Sequence, residues 1–185
     1  SIGTSTLYNF SNFVDVSDAT VATNGSVTNV IGAGSEGALS TLAVKNGGWR
    51  LDLELPGVAE RSVTQMSLLG DILFASAFTP STDLCGGEGT SQLYGLYYKT
   101  GAPKAALPTF GTTTSTVDGQ TLDIGIRQVT IGAGLASSPS LHTGAARDQR
   151  GITIFTQTST GAIENETGLV TERARSGEID WRERF

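Results

Sequence analysis

The chain has 185 residues, enough to bury a sizeable core, with a net charge of −6, only 16% charged residues and 24 Gly. No Lys/Arg cluster is present to displace counterions from phosphates, which argues against a nucleic-acid partner, and no apolar run reaches the ~20 residues of a helical membrane span. Low charge, frequent Gly, Ser and Thr, and short Val/Ile/Phe/Tyr runs fit an all-β chain rich in turns, and seven Phe with four Tyr argue against disorder.

In chain order, residues 1–30 carry weak strand signals at Leu7-Tyr8-Asn9-Phe10 and at Ser26-Val27-Thr28-Asn29-Val30-Ile31. Residues 32–48 are Gly-rich and read as loop, closed by an Asn46-Gly47-Gly48 turn. Within them, Gly32-Ala33-Gly34-Ser35-Glu36-Gly37 has the spacing of a dinucleotide fingerprint, and Asp52 lies twenty residues beyond Gly32. That chemistry needs a strand before the motif and a helix after it inside a βαβ unit. No such pattern follows, so coincidence in a Gly-rich chain is the preferred reading. No initiator Met and no charged-then-apolar leader are present, so Ser1 reads as an internal start.

The clearest hairpin joins residues 62–69 to residues 72–78 through a two-residue Gly70-Asp71 turn. A third strand, residues 92–98, ends at Lys99-Thr100-Gly101, and residues 102–123 read as a long Pro/Thr/Gly-rich surface loop. The pattern then recurs: residues 137–142 and 151–158 read as neighbouring strands, followed by a Ser159-Thr160-Gly161 turn and strand. Near the end, Glu178-Ile179-Asp180-Trp181-Arg182-Glu183 echoes Gly48-Trp49-Arg50-Leu51-Asp52-Leu53. Of the aromatics, Trp49, Trp181, Tyr94, Tyr97 and Tyr98 are expected to pack between sheets, or else to form a ligand-contact surface. Tyr97 and Tyr98 are adjacent, so their rings should face opposite ways.

Residues that could carry chemistry are few. Cys85 is the single Cys and has no partner in this chain; it reads as a disulfide candidate to another segment or chain, or as a buried thiol. His142 is the single His, expected at a strand end, which leaves no zinc-site spacing and no base for a serine nucleophile. Glu164 and Glu166 are paired carboxylates expected in a solvated turn. Asn9, Asn24 and Asn165 open glycosylation triplets that any Ser/Thr-rich chain contains. No catalytic, cofactor-binding or metal-binding residue is assigned.

Six segments in fixed order carry a resemblance: Gly48-Trp49-Arg50-Leu51-Asp52-Leu53, Glu60-Arg61-Ser62-Val63, Phe78-Thr79-Pro80-Ser81-Thr82-Asp83, Leu84-Cys85-Gly86-Gly87, Gly89-Thr90-Ser91-Gln92-Leu93-Tyr94-Gly95-Leu96-Tyr97-Tyr98, and Lys99-Thr100-Gly101. Their order resembles the C-terminal β-propeller of the PilC/PilY family, the adhesins and assembly factors of type IV pilus tips. A second match covers residues 135–161, and Trp181-Arg182-Glu183 is similar to the family's closing residues. The resemblance implies an all-β fold of antiparallel meander blades, the last two to three blades of a quinoprotein-like β-propeller. Residues 1–53 would end one blade, 54–125 form a blade with a long loop, and 126–185 form the final blade and closing strand.

The function it implies is non-enzymatic: a tip adhesin or pilus biogenesis factor, extracellular, on the pilus at the bacterial cell surface. Implied partners are the remainder of the propeller in the same or a cleaved chain, minor pilins, and a host or abiotic surface ligand. No cofactor is implied in this segment. Members of the family often carry a calcium loop, and no position here matches it, so any such loop is expected upstream of Ser1. The alternatives are a structural accessory subunit of an extracellular filament, or a fragment of a quinoprotein-type propeller enzyme. The latter would need a carboxylate base and a calcium-bound cofactor that cannot be assigned here.

Overall fold

The computed structural model describes residues 9–55, 58–82, 88–117, 119–143 and 151–170. Cys85, Trp181 and the expected closing strand at 178–183 lie outside the described residues. The chain is mostly strand, 48%, in antiparallel sheets with one short helix, which makes it an all-β protein.

The first third is built from short pieces. Val14–Asp15 (β1), Thr20–Val21 (β2) and Val27–Thr28 (β3) precede the helix Glu36–Asn46 (α1); Trp49–Arg50 (β4), Glu54–Leu55 (β5) and Val58–Ala59 (β6) follow it. β2 pairs with β3 and β5 with β6, both antiparallel, and β1 pairs with β4 in parallel, Val14 opposite Trp49. The helix corrects the expectation of loop over 32–48. Ser35 caps it by accepting the Ala38 N–H at 3.2 Å, Glu36 and Lys45 sit at the ends the helix dipole favours, and Gly47 closes it with a left-handed φ of 83°. The high glycine content of 32–48 masked these signals, because Gly32, Gly34, Gly47 and Gly48 all lie outside the helix. α1 buries Leu39 and Ala43 against Val14, Val16, Val21 and Val27. β3 and β4, which flank the helix in sequence, lie in different sheets, so the Gly32–Gly37 run lacks the context of a dinucleotide site.

The middle of the chain forms a four-stranded sheet. Ser67–Leu69 (β7), Ile72–Thr79 (β8) and Thr90–Tyr97 (β9) run as a meander; after the hairpin of Thr112–Val117 (β10) and Gln120–Gly125 (β11), Gln128–Ala133 (β12) joins them in the order β7-β8-β9-β12. The expected Gly70-Asp71 turn connects Leu69 to Ile72 across the ladder, Gly70 taking φ 62°. β7 is shorter than the expected strand at 62–69; upstream of it, Arg61 and Phe78 exchange backbone hydrogen bonds of 2.9 and 2.8 Å. The β10–β11 hairpin corrects the expected long loop. It pairs Thr112 with Gly125 through to Val117 with Gln120, and its tight turn carries Gly119 at φ 78°.

The last described sheet is Ser140–Thr143 (β13), Gly151–Gln157 (β14) and Ile163–Leu169 (β15), antiparallel in that order. Glu164 and Glu166 lie in β15, opposite Thr156 and Ile154, rather than in a turn. The two sheets share a core: Ile72, Phe74, Leu93 and Ile131 from the first meet Ile152, Ile154 and Val170 from the second. Alternation along β8 and β9 therefore puts Leu73, Ala75, Ala77, Tyr94 and Leu96 on the opposite face. That face is covered as well, by Trp49, Leu51 and Leu53, which explains why β8 and β9 are apolar almost without interruption.

Candidate functional site

The space between the Trp49–Leu53 segment and the second face of the four-stranded sheet is the site with most chemical content among the described residues. The segment is held from its outer side. Arg50 pairs with Asp15 on the neighbouring β1 and, at 2.9 Å, with Asp52, while Ser17 Oγ accepts the Asp52 N–H at 2.9 Å. The Ser17 hydroxyl and N–H also donate to Asp15, which together with the Arg50 charge holds that carboxyl below its ordinary range. At the other end, the Trp49 indole N–H donates to the Tyr98 carbonyl at 2.8 Å and the ring packs against Gly101.

Beside this segment a largely apolar cavity of about 310 Å³ is lined by Trp49, Arg50, Leu51 and Leu53 from the segment, by Leu73, Ala75, Ala77, Tyr94 and Leu96 from the sheet, and by Phe10, Phe13, Met66 and Ser62. The small side chains of Ala75 and Ala77 leave the room. A second, wider cavity of about 790 Å³ runs from the same Leu51, Leu53 and Ser62 past Asp52 to Glu60, Arg61 and Val63.

Glu60 and Tyr94 meet where these walls join. The Tyr94 hydroxyl donates to Glu60 Oε2 at 2.9 Å, and the two residues are only 8% and 4% exposed. Glu60 Oε1 is buried with no hydrogen-bond partner. Burial pushes the Glu60 carboxyl above its ordinary value, against the opposing hydrogen bond from Tyr94; burial and the nearby carboxylate push the Tyr94 phenol upward in turn. Arg127 stands by, desolvated and held by donation of Nη1 to the Val16 carbonyl at 2.9 Å, and its charge acts on Tyr94. Glu60 lines the wider cavity and not the apolar one, and its Oε1 is closed off within the wall.

Tyr94 and Trp49, expected as packing or contact aromatics, are thus brought together. Tyr97 packs at the edge of the inter-sheet core and carries Lys104 Nζ 4.1 Å from its ring centroid, while Tyr98, past the end of β9, is exposed; the two rings meet edge to face at 5.6 Å, so the expected opposite facing does not occur. His142 is exposed on β13, opposite Thr153 and on the far sheet. Asn9 and Asn24 each accept the backbone N–H two residues on, at 3.0 and 2.9 Å, which is turn chemistry, and Asn165 is exposed on β15. Among the described residues no three His, Cys, Asp or Glu side chains gather in a group that could hold a metal ion. Glu60 and Met66 were missed as site residues. Nothing in the local pattern of Glu60-Arg61-Ser62 points to Tyr94, which is 34 residues away.

Compared with family models, curated proteins and solved structures, the chain matches none of them.

Proposed function

We propose that this chain is a non-enzymatic protein of type IV pili, a tip adhesin or biogenesis factor resembling the PilC/PilY family, and that its sheets are the last two to three blades of a quinoprotein-like β-propeller. The observation that carries the reading is the contact between two segments of the resemblance. Trp49, opening the Trp49-Arg50-Leu51 strand, sits on Gly101 of the Lys99-Thr100-Gly101 turn and hydrogen-bonds Tyr98, 49 residues away in sequence.

The strand order supports the same reading. β7-β8-β9-β12 has the four antiparallel strands of one blade, with the β10–β11 hairpin inserted before the last, and β13-β14-β15 stacks against its face as a following blade would. Blades bury their faces only against neighbours. The partners follow: the remainder of the propeller, in the same or a cleaved chain, with minor pilins and a surface ligand beyond it. Cys85 is the candidate for a disulfide to another segment or chain.

The test is immunogold labelling of cells that produce the protein, with piliation and adhesion measured after deletion of its gene. Label at pilus ends together with loss of surface pili or adhesion is expected. Label at intervals along a fibre favours the accessory-subunit alternative. Absence from pili with unchanged piliation sinks the proposal.

A further inference from the structure

We propose that β10 is a dimerisation edge: two copies of this chain join antiparallel along Thr112–Val117 and merge their β10–β11 hairpins into one four-stranded sheet. This inference stands apart from the pilus reading, since it rests only on the hairpin and its edge.

The directions of the backbone groups locate the edge. The Ile126 N–H donates to the Gly111 carbonyl at 3.0 Å, so these two residues are a hydrogen-bonded pair. Alternation along the ladder makes Thr113–Ile124, Ser115–Leu122 and Val117–Gln120 hydrogen-bonded pairs as well. The N–H and C=O groups of Thr112, Thr114 and Thr116 therefore point away from β11. On the far side of the hairpin the position is taken: Thr23 N–H donates to the Asp123 carbonyl at 2.9 Å, and Ala22 bridges Ile124. Among the described residues no strand pairs with β10 on its outer side.

Natural proteins blunt such an edge with Lys, Pro, a bulge or an inward-pointing charge. β10 has none of these. It reads Thr-Thr-Thr-Ser-Thr-Val, β-branched at every position but Ser115, and its ladder to β11 keeps one register throughout. Thr112, Thr113, Thr114 and Thr116 are exposed, so packing adds little to a two-stranded ribbon that is marginal in water, and further strands would stabilise it.

A second copy fits this edge. A two-fold axis at Thr114 sets Thr114 opposite its own equivalent, Thr112 opposite Thr116, and Thr113 opposite Ser115. The outward groups then meet as hydrogen-bonded pairs that each exchange both N–H···O bonds, and every cross-strand pair is Thr–Thr or Thr–Ser, a favourable combination. Asp123, the one charged residue of the two strands, lies opposite Thr114 on β11. Its two copies end three strand spacings apart, about 14 Å, beyond the ~8 Å screening length at physiological salt. Because the far side of each hairpin is occupied, pairing closes at two copies and does not grow into a fibre. The six residues of β10 span only about 20 Å, short of a standard interface, so the dimer is weak.

Sedimentation of the 185-residue chain across a concentration series up to about 1 mM tests this. A reversible monomer–dimer equilibrium is expected, with a Kd of about 10 μM to 1 mM and no larger species. Thr114→Pro removes an outward donor and leaves the β10–β11 ladder intact, while Thr114→Lys sets two like charges face to face. Each should weaken dimerisation at least about tenfold, with far-ultraviolet circular dichroism to check that the variant is folded. Oxidation of Thr114→Cys in a Cys85→Ser background should cross-link the dimer, since hydrogen-bonded partners hold their Cα atoms about 5.5 Å apart. Thr121→Cys, one strand further out, should not cross-link. A dimer that the folded Thr114 variants leave unweakened, or cross-linking as strong at Thr121 as at Thr114, overturns the proposal. So does a monomer at every concentration, which would leave the edge to a different protein.

Discussion

The turns at Thr100-Gly101-Ala102 and Thr160-Gly161-Ala162 are built from the same three residues and have opposite surroundings. Each places its Gly at positive φ, 68° and 89°, and each closes by a Gly N–H bond to an upstream carbonyl, Tyr97 at 2.8 Å and Thr158 at 2.9 Å. The first turn is one residue longer: Tyr97 N–H reaches Ala102 and Thr158 N–H reaches Ala162, both at 2.9 Å. Around the first turn, Thr100 and Ala102 are fully buried and the Trp49 ring covers Gly101; a Cβ there would lie 2.3 Å from it. Around the second, a Cβ at Gly161 would meet nothing within 4 Å. Local sequence therefore sets the left-handed glycine of each turn, and a partner distant in sequence sets what that glycine is worth.

Substituting both glycines is the sharpest way to break this comparison. Gly101→Ala combines a left-handed backbone with a direct collision and should lose at least about 3 kcal/mol, whereas Gly161→Ala should lose only the backbone strain of about 1–2 kcal/mol. Denaturant melts of the two variants measure both, and equal losses would contradict the assignment of Trp49 to the first turn alone. Trp49→Ala should follow at about 2–4 kcal/mol by removing the half-buried ring, while Trp49→Phe should lose about 1 kcal/mol for the indole N–H bond to Tyr98. In the variant Gly161→Ala the Trp49→Phe effect should be unchanged, since the two positions share no neighbour in the described structure.

The same contrast between covered and open surroundings applies to the two faces of the last sheet. Ile154, 1% exposed, faces the inter-sheet core, and its neighbour Phe155, 40% exposed, faces away. Ile154→Ala should cost about 2–5 kcal/mol and Phe155→Ala less than about 1. A reversed order in thermal melts would mean that Phe155 is covered by something that packs on this sheet.

The smallest expected effect is a slope. Because burial raises the Glu60 carboxyl above its ordinary 4.5, its contribution to stability is fully present below that pH, where it is protonated in both states. It is lost as pH rises through the raised value, where the unfolded chain releases the proton more readily. Glu60→Gln should flatten this fall. Melting temperatures of the two proteins from pH 4 to pH 8 measure it, and parallel curves would refute the desolvated carboxyl.

The amino-acid sequence by itself determined the all-β class and the strongest local elements. Gly70-Asp71 between two apolar runs dictates the β7–β8 hairpin, because a two-residue turn with Gly suits the twist of the strands it joins. The sequence also suggested that the Tyr97 and Tyr98 rings face opposite ways, but Tyr98 lies past the end of β9 and the rings meet at 5.6 Å. It misled where composition hid a signal: Ser35, Glu36 and Gly47 are the ends of a helix inside a Gly-rich stretch, and Gly119 is the turn of a hairpin inside a Thr-rich one. Only the tertiary structure decided the rest. That Trp49 rests on Gly101, that β12 joins the sheet of β9 past an inserted hairpin, and that Glu60 lies under Tyr94 beside an apolar chamber are contacts across 34 to 52 residues of chain, and no local pattern encodes them. They arise because a sheet apolar on both faces must find cover for each, and the segments that supply it are set by packing rather than by their own propensities.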